Sequence, residues 1–449
     1  MKFKNIFLVT NLFASNLFAT PTITVSQTET LLDEPVVISI SGMPPGELIT
    51  VQATCKDMHD QEWSSHAVLE TNEAGETNLT TQAPIEGSYA GVDSMGLFWS
   101  MLPKEKMAPE FKMGDSPMPI TLTATCGDEY IAETTIIRLP MLPTVERRDI
   151  REEGLVGTLF YDSSTGPRPG IIVLGGAGGG IYERMARWYA SKGFAAFALG
   201  YFGVDGLPPR LEHIELTKVL HGIEWFKKQS CVQADRIAIH GGSKGGELAL
   251  LLGSLFPDSM QAIIACVPSI QIQPASLKGT APWVLRGSTE GLPPTAPCST
   301  HEEYVLAAAR GELSLYKNTF DHPIQLAPFY LFDMKRFPEE HILAEIPVEN
   351  IRCPLLVISA EDDHRWPSAH FGNLIMQRLE AKESTIDRLH LCYPGAGHFV
   401  PTAAYNPSSD HPEWWNRINW FSAGGTAAVN AHAAADARNA ILAFLEKYL

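Results

Sequence analysis

The chain is short of basic residues: 34 Lys and Arg stand against 51 Asp and Glu, a formal charge of −17. Nothing in it resembles a basic stripe, which argues against a nucleic-acid binder. Cysteine is sparse too, and seven in 449 residues are too few for a disulfide scaffold. Long apolar runs are missing. No segment supplies the ~20 consecutive apolar residues of a membrane-crossing helix, so no integral membrane span is expected. Internal repeats and low-complexity tracts do not stand out. What remains is an ordinary globular composition, 45% apolar and 9% aromatic, too long for one core and expected to divide into two or three domains.

The first residues carry a distinct pattern. Lys2 and Lys4 precede Ile6-Phe7-Leu8-Val9 and Leu12-Phe13-Ala14, and Leu17-Phe18-Ala19-Thr20-Pro21 follows. A basic start, a short apolar stretch and a small residue before a proline predict a signal peptide over residues 1–19 and an exported, periplasmic or secreted protein. Without cleavage the protein would remain cytoplasmic.

Residues 20–145 have little helical periodicity. Short alternating or β-branched stretches such as Pro35 to Ile40, Leu48 to Cys55 and Ile120 to Cys126 are separated by turn material such as Gly42-Met43-Pro44-Pro45-Gly46. That spacing predicts an antiparallel β-sandwich. Cys55 and Cys126 each end such a stretch; in an exported protein they could pair, and otherwise they are two buried thiols. Gly87 to Pro103 is rich in glycine and aromatics and reads as a loop packed against a neighbouring domain. Pro140 to Asp149 reads as a linker.

From residue 150 to 449 strands and helices alternate, which predicts a parallel sheet covered on both faces. Strands are expected at Gly170–Leu174, Phe194–Leu199, Arg236–His240, Ala262–Val267, Pro354–Ser359 and Arg388–Tyr393. Helices are expected at Ile181–Lys192, Leu211–Lys228 and Thr426–Tyr448. Residues of about 268–347 interrupt the rhythm with prolines, glycines and short helical pieces, an insertion expected to act as a lid.

Within this frame Gly241-Gly242-Ser243-Lys244-Gly245 is a G-x-S-x-G pentapeptide between strand and helix. A serine at a strained strand-to-helix turn needs small neighbours and projects its hydroxyl above the sheet. In this architecture the acid and the histidine follow on loops after later strands. Glu361-Asp362-Asp363-His364 follows one strand, and Pro394-Gly395-Ala396-Gly397-His398 follows the last. Ser243 is therefore the expected nucleophile, His398 its base and Asp363 the group orienting His398. Glu361 and Asp362 stand as adjacent carboxylates. The oxyanion donors are expected to be the backbone N–H of Lys244 and those of Ala177 and Gly178 in the loop Gly175 to Gly180. That loop could instead cradle a phosphate, but it lacks the lysine of G-x-x-x-x-G-K-[ST] and the G-x-G-x-x-G spacing. No cofactor and no metal is expected.

Taken in order, these segments resemble the acyl-CoA thioesterase and bile acid-CoA:amino acid N-acyltransferase family over nearly the whole mature length. The resemblance rests on Gly87 to Pro103, the glycine loop, the His240 to Glu247 elbow, Glu361 to His364, Tyr393 to His398, and Trp420 to Ala435. It implies a β-sandwich fused to an α/β-hydrolase domain, with Ser243, Asp363 and His398 as triad. It also implies that the N-acyltransferase branch uses cysteine where this chain has Ser243, so hydrolysis of an acyl-CoA-type thioester is expected over transfer to an amino acid. Because acyl-CoA is an intracellular metabolite, an exported member could act on an oxyester or small lipid instead. A non-enzymatic binding role for the β-sandwich is the third reading, disfavoured by the full set of reactive residues. The small-molecule acyl ester or thioester is the one partner expected.

Overall fold

A computed structural model describes residues 20–449 except 106–110, 128, 276–278, 286–287, 289, 296–298, 316, 403, 406, 408–412 and 416–418. The expected signal peptide, residues 1–19, lies outside the described residues.

The first layer is built mainly of β-strands. Alternation sets its faces: in Leu48–Lys56, Ile49, Val51, Ala53 and Cys55 are buried while Leu48, Gln52 and Lys56 are exposed. Each fully buried aliphatic side chain of this kind contributes about 1.5–3 kcal/mol. The larger sheet runs in the order Glu29–Leu31, Glu129–Leu139, Met118–Cys126, Leu48–Lys56, Glu62–Glu70, Glu86–Gly87. A smaller one joins Thr22–Val25, Ile38–Ser41 and Thr77–Asn78. Pairing is antiparallel throughout except that Glu29–Leu31 lies parallel to Glu129–Leu139.

The same register corrects the proposed pairing of Cys55 with Cys126. Cys126 sits opposite Ile49 and Cys55 opposite Trp63. The two cysteines are therefore six residues apart along paired strands, about 20 Å, whereas a disulfide needs Cα atoms within ~7 Å. Both are free, and the buried Cys55 thiol instead meets Met101 Sδ at 3.5 Å.

The catalytic sheet has eight strands: β1 (Val145–Ile150), β2 (Val156–Asp162), β3 (Arg168–Leu174), β4 (Ala195–Gly200), β5 (Val232–Gly242), β6 (Ala262–Cys266), β7 (Leu355–Ala360) and β8 (Arg388–Tyr393). Their spatial order is β1-β2-β4-β3-β5-β6-β7-β8. β2 is antiparallel to both neighbours, and from β4 to β8 all pairs are parallel. This is the α/β-hydrolase arrangement. Helices Glu183–Ser191 and Ala427–Tyr448 pack in the core on one face; Leu216–Lys227, Lys244–Leu255 and Ser368–Ala381 contribute to the core on the other.

Two expectations need correction. The end of the presumed linker is strand β1, whose sequence Val-Glu-Arg-Arg-Asp-Ile buries only its first and last residues; an edge strand with four exposed polar residues has no alternating signature. The helix expected from Leu211 begins at Leu216, because Ile214–Glu215 pairs in parallel with Trp283–Val284 of the insertion. Within 268–347 the described helices are His301–Ala309, started by a Thr300/Glu303 capping box, Ala327–Arg336 and Pro338–Leu343.

The two halves meet along the last helix. Gly96–Trp99 forms a buried helical turn, and Trp99 Nε1 donates to Asp93 at 2.8 Å. Asp93 also meets His432 Nε2 at 2.7 Å, while the His432 and Trp99 rings contact edge to face at 6.0 Å. Ala431 belongs to the core of the β-sandwich, and Ala433, Ala437 and Ile441 to that of the catalytic sheet.

This arrangement predicts that Cys55 and Cys126 both react with a thiol reagent when the purified protein is unfolded without reductant. Peptide mapping by mass spectrometry should find them singly labelled, and reductant should leave the melting temperature unchanged; a Cys55–Cys126 cross-linked peptide would contradict the strand register.

Candidate active site

Strand β5 ends at Gly242, helix Lys244–Leu255 begins two residues later, and Ser243 between them adopts φ 57°, ψ −121°. A β-carbon at Gly241 would stand 2.0 Å from Gly245 O, and one at Gly245 would stand 2.5 Å from the carbonyl oxygens of Leu174 and Gly175. The two outer glycines of the pentapeptide are thus steric necessities. Ser243 N–H donates to Cys266 O at 2.8 Å, tying the turn to β6. Lys244 opens the helix, so its N–H has no intrahelical acceptor.

The glycine loop after β3 lies against this turn. A β-carbon on Gly176 would be 3.4 Å from Ser243 Cβ and 3.8 Å from its Oγ. The loop is shaped by Gly179 N–H donating to Gly176 O at 3.2 Å and Gly180 N–H to Phe202 O at 3.0 Å. Tyr201 OH donates to Gly175 O at 2.5 Å. Among the described residues none accepts from the N–H groups of Ala177 and Gly178, which leaves both available to a bound oxygen.

Asp363 and His398 come together from the loops after β7 and β8. His398 Nδ1 lies 2.9 and 2.8 Å from the two Asp363 oxygens, and both residues are buried. Asp363 Oδ1 also accepts from the N–H of Arg365 at 2.9 Å and of Trp366 at 3.3 Å, which fixes the carboxylate. The neighbouring carboxylates do other things. Asp362 meets His364 Nε2 at 3.0 Å and accepts from Gly425 N–H at 2.8 Å, and Glu361 is exposed.

Several supporting residues carry no motif. Asn430, in the alanine-rich last helix, accepts from Gly397 N–H at 2.7 Å and donates to Gly424 O at 3.1 Å, holding the His398 loop. Trp366 stands edge-on to the His398 ring at 6.0 Å and donates its indole N–H to Val267 O at 2.9 Å. Behind the elbow, Lys244 Nζ lies 2.7 and 2.8 Å from the Glu247 oxygens and donates to Gln273 O. Glu247 further accepts from Trp283 Nε1 at 2.8 Å and Gln273 N–H at 3.1 Å. Burial disfavours both charges, and their mutual attraction and the surrounding donors oppose that cost. An i, i+3 spacing of Lys and Glu in a helix start was the available signal; the partners from the insertion were not readable.

Ser243 and His398 open onto one cavity of about 440 Å³, bounded also by Gly176 to Gly179 and by apolar side chains including Tyr182, Leu326, Tyr330, Phe399 and Phe421. No described residue partners the second nitrogen of His398. The cavity can therefore present a serine hydroxyl, an imidazole oriented by a carboxylate, and free N–H groups to an apolar ligand.

His240 also borders the cavity. It is wholly buried, its Nδ1 is 2.9 Å from Tyr189 OH, and its Nε2 has no partner among the described residues. Burial, with Arg438 adding to it, pushes its pKa from 6.5 down to about 3. The unfolded chain takes up this proton near pH 6.5 and the folded protein resists it until about pH 3. The stabilisation is thus complete above pH 6.5 and is lost as pH falls, by up to about 1.4 kcal/mol per pH unit. Denaturant titrations of His240→Asn at pH 6.5 and 5 should show a smaller loss than wild type; an equal loss would place the protonating group elsewhere.

Strand order and cavity together define an enzyme of the α/β-hydrolase fold. Comparison with known proteins carries this further. The family model "Acyl-CoA thioester hydrolase/BAAT N-terminal region" matches residues 33–152, and "BAAT / Acyl-CoA thioester hydrolase C terminal" matches residues 220–449. The chain belongs to this acyl-CoA thioester hydrolase and N-acyltransferase family. It is 28% identical over 424 residues to mouse mitochondrial acyl-coenzyme A thioesterase 2, covering 93% of this chain and 87% of the relative. It is likewise 28% identical to human acyl-coenzyme A thioesterase 1 over 427 residues, 93% and 94% of the two chains. Mouse bile acid-CoA:amino acid N-acyltransferase is also 28% identical, over 433 residues, 93% of this chain and 96% of the relative.

Proposed function

We propose that the protein is a serine hydrolase that cleaves acyl-CoA-type thioesters to a carboxylic acid and CoA. The observation that carries this reading is the Ser243 turn, with its left-handed backbone, opening onto the same cavity as a His398 imidazole bound through Nδ1 to Asp363. Ser243 Oγ attacks the thioester carbonyl carbon while His398 takes the hydroxyl proton through its second nitrogen. Asp363 holds the imidazole's tautomer and stabilises the imidazolium. The carbonyl oxygen, now an oxyanion, is bound by the N–H groups of Lys244 and of Ala177 or Gly178. Collapse of the tetrahedral adduct breaks the carbon–sulfur bond, and the thiol leaves with the proton from His398. Water, deprotonated by His398, then attacks the acyl-serine and releases the acid. Leu326 and Tyr330, contributed by the insertion, border the cavity, which supports its reading as a lid.

A serine ester favours hydrolysis. An acyl-cysteine stays reactive toward amines, whereas an oxyester beside an activated water tends to hydrolyse. A second reading, an exported carboxylesterase acting on oxyesters or small lipids, is favoured by the leader-like pattern from Lys2 to Ala19. Mature protein beginning near Thr20 would support it.

Purified protein assayed on an acyl-CoA series and on p-nitrophenyl esters separates the two, with the higher kcat/KM expected on acyl-CoA. Ser243→Ala should lower kcat on either by roughly 10⁴-fold or more and abolish fluorophosphonate labelling with an unchanged melting temperature. Retained turnover and labelling would remove Ser243 as nucleophile. Ser243→Cys should keep partial activity and, with glycine or taurine added, divert product toward the amide; an unchanged product ratio would refute this account of why serine directs hydrolysis.

A further inference from the structure

A second cavity, separate from the one that Ser243 borders, lies at the seam between the two halves. It is bounded by Leu31, Leu32 and Asp33 of the β-sandwich, by Arg184, Arg187 and Trp188 of helix Glu183–Ser191, and by Arg438 of the last helix. Its volume is about 10 Å³, room for one water-sized or monoatomic occupant.

The charge around this seam does not balance. Five cations gather there, Arg138, Arg184, Arg187, Lys192 and Arg438, with three carboxylates, Asp33, Glu34 and Asp115, an excess of two positive charges. The carboxylates are already engaged. Asp115, on the surface, pairs with Arg187 Nη1 at 2.6 Å. Asp33 accepts from Trp188 Nε1 at 2.7 Å and lies 3.3 Å from Lys192, which also meets Glu34 at 3.1 Å. Arg438 spends its Nε on Pro401 O at 3.1 Å and stacks over Trp188 at 5.0 Å.

Donors are left over as well. Among the described residues the buried Nε groups of Arg184 and Arg187 and Nη1 of Arg138 have no acceptor, and Arg184 makes no hydrogen bond or ion pair. An unsatisfied buried donor costs ~1–3 kcal/mol, more when charged. Burial lowers the pKa of Arg184 to about 10, with Arg438 contributing, as befits a guanidinium held among like charges.

We propose that this seam binds one small monovalent anion of the halide class, held by the guanidinium groups of Arg184, Arg187 and Arg438. The anion would supply the missing acceptor and offset the excess charge. Because its walls come from both halves of the protein, it would stabilise their docking. The site takes no part in the Ser243 chemistry and stands or falls independently of it.

Thermal unfolding at fixed ionic strength, with sodium chloride replacing sodium gluconate, tests the proposal. Wild type should show a saturable rise in melting temperature of roughly 3–6 °C, and Ser243→Ala should show the same rise. Arg184→Leu should lose it. An absent rise in wild type, an equal rise in Arg184→Leu, or stabilisation by inorganic phosphate but not chloride would each overturn a monoatomic anion site. If Arg184→Leu does not fold, wild-type crystals grown in sodium bromide decide: an anomalous peak between Arg184 and Arg438 supports the site, and its absence there refutes it.

Discussion

The turn at Ser243 has no room for a β-carbon at its two flanking glycines, and much else follows from that constraint. Because Gly241 and Gly245 let β5 and the following helix approach within contact of the β3 carbonyls, the serine reaches the cavity side of the sheet. The same closeness brings the glycine loop of Gly176 beside its hydroxyl. A left-handed backbone at a non-glycine residue is costly, and here it is held by the Ser243–Cys266 backbone bond, by the helix, and by packing on both sides. The strain is local, but it fixes where the Ser243 hydroxyl meets the cavity.

Around that turn the polar interactions form two separate supports. One holds the histidine: Asn430 and Ala423 grip the loop backbone while Asp363 grips the ring. The other holds the elbow helix to the insertion through the closed Lys244–Glu247 pair, Gln273 and Trp283. A buried ion pair is weak evidence for stability, so geometry is the better account of its presence. It links the residue next to Ser243 to the segment whose later residues, Leu326 and Tyr330, border the cavity.

Most of the catalytic sheet was legible because parallel strands buried on both faces read as apolar runs, as in Ile171 to Leu174 and Leu355 to Ile358. The strained turn at Ser243 and the meeting of Asp363 with His398 were legible from their place after such runs. Strand β1 was not, since an edge strand with polar residues at four central positions carries no period. Register was invisible as well, and so Cys55 and Cys126, each at the end of a strand, looked like partners although adjacent strands run in opposite directions. The roles of Asn430 and Glu247 depend on neighbours far away in sequence, which local pattern does not contain.

The last helix has a consequence for how the chain is made. Ala431 belongs to the core of the first half and His432 meets its Asp93–Trp99 contact, yet both residues lie in the helix Ala427–Tyr448, which follows the whole catalytic sheet in sequence. During synthesis the amino-terminal half therefore emerges first but lacks part of its packing until the helix Ala427–Tyr448 has been made. Domains ordinarily fold in the order in which they appear. Here the first half borrows packing from a helix that follows the whole catalytic sheet in sequence, so its core closes only when that helix is in place.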